Sequence, residues 1–167
     1  MYKYLLLSII LLLGACSSEQ GNQNNHEQHH NNEHHHNNAQ HTYGDIQETT
    51  ANKDILPSFL DGQDEKIVQT YKIVGNYADI LEHMPCYCGC GETVGHRSNA
   101  NCFIKERHTD GSITWDDHGT RCVVCIEIAL YTAHLTNEGK TLKEIRETID
   151  NFYKEGYMAP TDTPMPS

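Results

Sequence analysis

Residues 85–91 read Pro-Cys-Tyr-Cys-Gly-Cys-Gly, and residues 122–125 read Cys-Val-Val-Cys. Together with Cys102, these stretches place six of the seven cysteines of the 167-residue chain in one region. Glycines beside closely spaced cysteines are suited to a chain that wraps around an ion, because glycine adopts backbone angles that other residues avoid. The segment from Cys86 to Gly119 shows little periodicity, and a loop of that length needs an organiser. We therefore expect these cysteines to organise the fold.

Apolar periodicity predicts about three helices around the Cys-rich loop, over residues 64–84, 120–137 and 141–156. The third helix begins with a capping-box pair. One short β-hairpin is expected around Asp110-Gly111, where a turn dipeptide separates two short apolar runs. The predicted fold class is therefore a small, mainly α domain with a long Cys-rich loop and one short β-hairpin.

Composition divides the chain into three parts. Residues 1–15 are apolar, residues 17–54 contain only four apolar side chains in 38, and residues 55–167 carry the helical patterns. A segment with so little to bury is typical of disorder. We predict a signal peptide over residues 1–15, a lipidated disordered tether over 16–54 and a folded domain over 55–167.

The N-terminus has the features of an export signal. One Lys is followed by an apolar run from Tyr4 to Leu13, which is broken only by Ser8 and is too short to span a bilayer. The following Leu13-Gly14-Ala15-Cys16 resembles the lipobox of bacterial lipoproteins, in which the cysteine receives the lipid. We expect Cys16 to be lipidated and the mature chain to be extracytoplasmic. The alternative is a plain secretory signal with a chance cysteine.

The predicted tether contains seven histidines in sixteen residues. They are His26, His29, His30, His34, His35, His36 and His41. Neutral imidazoles at this density can capture Zn, Cu(II) or Ni ions weakly without a preformed site. The alternative is that His and Asn fill a linker that only needs to be polar.

The charge and the motifs of the chain exclude several functions. The formal net charge is −11, and a polyanion-binding protein depends on Lys and Arg that neutralise phosphates, so we expect no nucleic acid partner. No sequence motif of a hydrolase, metalloprotease, nucleotide-binding protein or dinucleotide-dependent enzyme is present. We expect no enzymatic activity, with thiol redox chemistry as the one enzymatic alternative.

The cysteine spacing favours a metal-thiolate site. Cysteines at i and i+3 on a helix share a face, and closely spaced thiolates suit Cu(I) or a group of soft ions. The candidate ligands are Cys86, Cys88, Cys90, Cys102, Cys122 and Cys125. Two alternatives remain open: three structural disulfides, which an exported chain permits, and thiol-disulfide exchange by Cys122 and Cys125.

Two histidines of the domain are candidate additional ligands. His118 precedes Cys122 by four residues, and His96 lies in the loop between Cys90 and Cys102. Asp116 or Asp117 is expected to accept the second ring N–H of a ligating imidazole. The alternative is that His118 is a surface residue beside a helix cap.

The motif Pro85-Cys86-Tyr87-Cys88-Gly89-Cys90 resembles the bacterial lipoprotein family that is named for its PCYCGC motif. Further matching residues are Gly91-Glu92, Gly95-His96, Asn101-Cys102-Phe103, the stretch from Trp115 to Cys122, Cys125, and the ending from Tyr157 to Pro166. The resemblance implies a lipid-anchored extracytoplasmic protein, but it transfers no activity and does not extend to the histidine tract.

These observations lead to one hypothesis about function. We expect a lipid-anchored extracytoplasmic protein of the bacterial cell membrane that holds Cu(I) or Zn for buffering, delivery or tolerance. Its partners would be the membrane and metal ions. The alternative is a disulfide-stapled, non-catalytic module that recruits an envelope protein.

Overall fold

The structure is a computed structural model that describes residues 40–42 and 44–167. The described helices are α1 (Glu65–Leu81), α2 (Cys90–Val94), α3 (Val123–Asn137) and α4 (Leu142–Tyr153). The described strands are β1 (Gln40–Thr42), β2 (Asp45–Thr50), β3 (Ile104–Arg107) and β4 (Ile113–Asp116). Short 3-10 turns cover Ser58–Leu60, Asn99–Cys102 and Asp117–Arg121. The expected signal peptide, Cys16 and the histidines before residue 40 lie outside the described residues.

The three predicted helices correspond to α1, α3 and α4. The side chain of Asp64 caps α1 by accepting a hydrogen bond from the Lys66 amide at 2.8 Å. In α4, Thr141 and Glu144 form the predicted capping box in both directions. The expected start of the second helix near Thr120 is wrong, because the preceding residues form a 3-10 turn and Cys122 becomes the N-cap of α3.

The β-structure is larger than the single hairpin that the sequence predicts. The hairpin is present as β3 and β4, but β2 pairs with the other edge of β4, and β1 pairs with β2. All pairs are antiparallel, and the strand order is β1-β2-β4-β3. The domain is therefore helical with an antiparallel sheet, and it also contains a short helix, α2, within the predicted loop.

The expectation of a disordered tether as far as residue 54 is wrong for residues 45–50, which form β2. The polar side chains of this strand that are buried, Asp45, Glu48 and Thr50, each have a hydrogen-bond partner. Glu48 accepts hydrogen bonds from the backbone amide and the hydroxyl of Ser58, at 2.8 and 2.6 Å. Thr50 accepts a 2.8 Å bond from the indole N–H of Trp115. Low apolar content predicts disorder only where such pairing is missing.

The core lies between the sheet and the long helices. Tyr71 of α1 packs edge-on against Phe103, with ring centroids 5.2 Å apart, and its hydroxyl donates to the Asp116 carbonyl at 2.6 Å. Helix α3 contacts both α1 and α4. The buried residues of α3, among them Cys125, Ile128 and Thr132, lie on one broad face of the helix, and its exposed residues lie on the opposite face.

The C-terminal segment after α4 returns across the domain. The buried guanidinium of Arg146 donates to the carbonyls of His83, Thr163 and Pro164 at 3.0–3.1 Å, and it pairs with Asp150 at 2.9 Å. This arginine therefore fixes the last residues against the end of α1. None of the described helices is both long and apolar enough to cross a bilayer.

The pairing of β2 with the core can be tested by replacing Thr50 with Val. The variant T50V keeps the shape and strand preference of the side chain but leaves the buried N–H of Trp115 unpaired. We expect it to lower the free energy of unfolding by about 1–3 kcal/mol. The matched control is T49V, because the Thr49 hydroxyl bonds to Thr114 on the exposed face of the same strand.

We expect T49V to change stability by less than about 0.5 kcal/mol. Urea unfolding followed by tryptophan fluorescence measures both variants. Equal stability of T50V and T49V would contradict the assignment of β2 to the folded domain.

Candidate metal centre

Three separate segments bring the six cysteines together. Cys86 and Cys88 lie in the loop that follows α1, and Cys90 is the first residue of α2. Cys102 ends the 3-10 turn that precedes β3. Cys122 and Cys125 occupy the N-cap and the first turn of α3.

Two glycines allow these segments to approach one another. Gly89 has φ +85°, a left-handed conformation that turns the chain between Cys88 and Cys90. Gly119 lies against Phe103, and an added Cβ there would meet the phenyl ring at 2.3 Å. The missing side chain lets the segment before α3 pack against the segment that carries Cys102.

Four of the sulfur atoms form a buried group within 4.8 Å of one another. This inner group consists of Cys86, Cys90, Cys102 and Cys125. The Sγ atom of Cys125 lies 3.0 Å from those of both Cys86 and Cys102. Cys102 lies 3.8 Å from Cys90 and 3.9 Å from Cys86. A tetrahedral ion with metal–sulfur bonds of about 2.3 Å separates its sulfurs by about 3.8 Å, so small shifts would suffice for one ion.

A second, outer group shares one sulfur with the first. Cys88, Cys122 and Cys125 also lie within 4.8 Å of one another, and Cys88 and Cys122 are only half-buried. The Sγ atoms of Cys88 and Cys125 are 3.7 Å apart. The structure thus brings all six predicted cysteine ligands into one cluster, in which Cys125 belongs to both groups.

Both predicted histidines of the domain reach the cluster. His118 has a ring nitrogen within 4.8 Å of the sulfurs of Cys88 and Cys90. His96 places Nδ1 3.4 Å from the sulfur of Cys102. The two imidazole rings contact each other edge to face, with centroids 4.9 Å apart. Either ring could supply a nitrogen ligand to an ion bound at the sulfurs.

The expected carboxylate partner of His118 is a different residue. Asp45 of β2 places Oδ2 3.5 Å from His118 Nδ1. Asp116 instead accepts a hydrogen bond from the His118 backbone amide, and Asp117 pairs with Arg121. The prediction of Asp116 or Asp117 is therefore wrong. Asp45 was missed because it lies in the stretch whose composition predicts a tether.

Contact between the thiols lowers the pKa values of some cysteines and raises those of others. The neighbouring thiols, with Cys102 as the largest influence, lower the pKa of Cys88 and lower that of Cys90 to about 5. The pKa of Cys125 is raised, chiefly by its hydrogen bond with Cys102. The nearby sulfur of Cys88 is the largest influence that raises the pKa of His118, to about 9. These contacts therefore favour ionisation of Cys88 and Cys90 over ionisation of Cys125.

Backbone hydrogen bonds fix the cysteine segments around the cluster. The side-chain amide of the fully buried Asn99 donates to the Cys125 carbonyl at 3.1 Å. Thr161 of the C-terminal segment accepts from the Cys86 amide at 2.9 Å and donates its own amide to the Cys86 carbonyl at 3.0 Å. These contacts hold Cys86 from one side and Cys125 from the other. Neither Asn99 nor Thr161 lies in a periodic stretch, so no pattern in the sequence pointed to them.

The six cysteines of the described residues are all free thiols. The structure therefore does not support the alternative of three structural disulfides. The histidine tract lies outside the described residues except for His41, which pairs with Ile46 at the backbone of β1.

Comparison with known protein families matches residues 5–166 to the family described as "Protein of unknown function with PCYCGC motif". The chain belongs to this PCYCGC family. Comparisons with curated proteins and with solved structures find no match. The family confirms the resemblance that the hexapeptide suggested. In this PCYCGC protein, the motif supplies three of the six clustered sulfurs, Cys86, Cys88 and Cys90.

The geometry of the cluster predicts an order of thiol reactivity. We expect iodoacetamide to modify Cys88 first in the reduced, chelator-treated PCYCGC protein, because its sulfur is half-exposed and its pKa is lowered. Cys122 is also only partly buried, but its pKa is raised. Its modification should be roughly tenfold slower or more, because the thiolate is the nucleophile. The four inner thiols should react only as fast as the domain opens.

Peptide mass spectrometry over a time course of alkylation measures this order. The cysteine of a short unstructured peptide, alkylated under the same conditions, gives the reaction rate of a fully exposed thiol. Modification of Cys102 or Cys125 as rapid as that of Cys88 would contradict the described burial.

Proposed function

We propose that this PCYCGC protein binds a soft transition metal, Cu(I) or Zn, in the sulfur cluster, for metal buffering, delivery or tolerance. The protein would carry out this role at the outer face of the cell membrane, where a lipid on Cys16 anchors it. The function is binding rather than catalysis.

The inner group of four sulfurs is the observation that carries this proposal. Each of its cysteines is at most 2% exposed, and the four come from three separate segments of the chain. Soft thiolates bind Cu(I) and Zn in preference to hard cations such as Mg or Ca. Four sulfurs that converge at nearly tetrahedral spacing are the ligand set of a closed zinc site, and subsets of two or three of them suit Cu(I).

Electrostatics also support metal binding. Burial disfavours a charged thiolate, and thiolates in contact repel one another. A bound cation removes both penalties, so the free energy of metal binding would stabilise the folded domain. Ligation requires loss of the thiol protons and of the His118 proton. Affinity should therefore fall as the pH is lowered, because protons compete with the metal for the same atoms.

The carboxylate beside His118 is a second supporting feature. A ligating imidazole commonly has its other ring nitrogen hydrogen-bonded to a carboxylate, which orients the ring and raises its basicity. Asp45 stands at the Nδ1 side of His118. This arrangement suits a histidine that joins the thiolates as a ligand.

The thiol-exchange alternative finds less support in the geometry. An attacking cysteine in a Cys-x-x-Cys pair is exposed and has a lowered pKa. Cys122 has a raised pKa, and Cys125 is fully buried. The second alternative is a disulfide-stapled module that recruits an envelope partner. It would require the cysteines to be oxidised, which the thiol titration below detects.

Metal content tests the proposal directly. We expect the protein, purified anaerobically without a tag and without added metal, to contain Cu or Zn in stoichiometric amount, together with free thiols. The variant C90S removes one inner ligand and should lower the affinity on the order of 100-fold or more, beyond the effect of losing an outer-shell partner. The matched control is H134A, because the His134 side chain is 63% exposed and contacts Glu138 and Tyr131 rather than the cysteines.

Elemental analysis and thiol titration in denaturant give the two readouts. Three disulfides and no bound metal would overturn the proposal and leave the stapled module. A chain that lacks residues 22–39, but keeps β1, adds a further arm to this experiment. It should lose only weak Zn or Ni binding if the histidines collect ions, and nothing if they are filler.

The lipid anchor is tested by C16S. An acyl chain on Cys16 would supply the membrane affinity of the mature protein. We expect the native chain in the membrane fraction and C16S in the soluble or secreted fraction, as measured by fractionation and immunoblotting in a Gram-positive host. C102S serves as the control for a cysteine change elsewhere. Equal membrane retention of the native chain and C16S would rule out lipidation at this residue.

A further inference from the structure

The cluster contains more sulfur ligands than one metal ion can use. One tetrahedral ion takes four thiolates, and the structure gathers six. The two sulfurs that remain, those of Cys88 and Cys122, are not scattered but lie together against Cys125. The sulfurs of Cys88 and Cys122 therefore form a second site that shares the sulfur of Cys125 with the first.

We propose that the cluster holds two ions that share the sulfur of Cys125, an inner ion that is retained and an outer ion that exchanges with soft-ligand acceptors. This inference rests on the proposed function and divides its site into two parts. The inner ion is bound by Cys86, Cys90, Cys102 and Cys125, and the outer ion by Cys88, Cys122 and Cys125.

The inner site is closed to an attacking ligand. Its four sulfurs are buried, and the C-terminal segment covers Cys86 through two hydrogen bonds with Thr161, one to its hydroxyl and one from its backbone amide. Four thiolates complete the coordination of a tetrahedral ion and leave no position for a competitor. An ion bound there would leave only when the surrounding chain opens, which makes its exchange slow.

The outer site has the opposite properties. Cys88 and Cys122 are half-buried, and the residue after Cys122, Val123, is 63% exposed. Three thiolates leave a tetrahedral ion with a fourth position that is open or held by the neutral ring of His118, which lies near Cys88. An incoming thiolate can take that position before a protein thiolate leaves, so the ion can pass between proteins without being released to water.

The surface beside the outer site also suits a soft acceptor. The Met158 side chain is 53% exposed and lies against Gly89, which follows Cys88 in the chain. A Cβ added at Gly89 would lie 3.4 Å from the Cγ atom of Met158. The backbone amide of Met158 donates to the Tyr87 carbonyl at 3.1 Å, which fixes it there. Thioethers bind Cu(I), so Met158 offers a soft ligand beside the segment of Cys88, and the exposed Val123 offers an apolar side chain next to Cys122.

Native mass spectrometry of the full chain, titrated anaerobically with Zn²⁺ or with Cu⁺, tests the two-ion cluster. Excess imidazole in the buffer removes ions that are held only by histidines. We expect two ions per chain, and a competing chelator should remove one at least tenfold faster than the other. The variants C88S and C122S should lose the fast ion alone, C90S should lose the slow ion, and C125S should weaken both. H134A should behave as the native chain.

A second measurement needs no variant and so does not depend on how a Ser is accommodated in the core. Pulse alkylation during metal removal from the native chain should show Cys88 and Cys122 becoming reactive in the fast phase and Cys90 and Cys102 in the slow phase. Simultaneous release of both ions, or equal losses in C88S and C90S, would overturn the division into two sites while leaving metal binding intact. A chain that binds neither Zn²⁺ nor Cu⁺ would overturn the proposed function itself.

Discussion

The contact of six thiol sulfurs from three distant parts of the chain is the constraint on which this structure depends. Sulfur atoms 3.0 Å apart at Cys125 join the loop after α1, the turn before β3 and the first turn of α3. Other features of the fold maintain this meeting point. Gly89 turns the motif, Asn99 holds the start of α3, and Thr161 holds Cys86. A small domain with few apolar layers commonly needs such an internal crosslink, and a metal ion can supply it in place of disulfides.

The electrostatics of the cluster connect its stability to its function. Closely packed thiols cannot all ionise, and their mutual contacts favour ionisation of Cys88 and Cys90, which lie near His118. A soft cation would replace the protons of the thiols and bind the three cysteine segments together. Folding and metal binding would then be coupled, and the accessible edge at Cys88 and Cys122 would be the place where metal passes to or from another molecule. The anionic surface of the chain is compatible with attraction of cations.

The parts of this structure that were predictable are those that leave a local pattern in the sequence. Helices α1 and α4 show an apolar stripe or a capping box, and the clustered cysteines follow from their rarity and spacing. Strand β2 leaves no such signal, because Asp45, Glu48 and Thr50 are polar residues whose burial depends on partners at least ten residues away in the chain. The carboxylate beside His118 was missed for the same reason. The C-terminal segment packs on Cys86 through hydrogen bonds between Thr161 and the Cys86 backbone, and no periodic pattern in the sequence predicts these bonds.

X-ray absorption spectroscopy at the edge of the metal that copurifies with the full chain tests the central claim most directly. The account predicts a first shell dominated by sulfur at about 2.3 Å. A further contribution from a metal atom is expected beyond the sulfur shell, because the second ion shares a thiolate with the first. A first shell of nitrogen and oxygen at about 2.0–2.2 Å without sulfur would contradict it, because the metal would then lie on histidines or carboxylates rather than in the sulfur cluster.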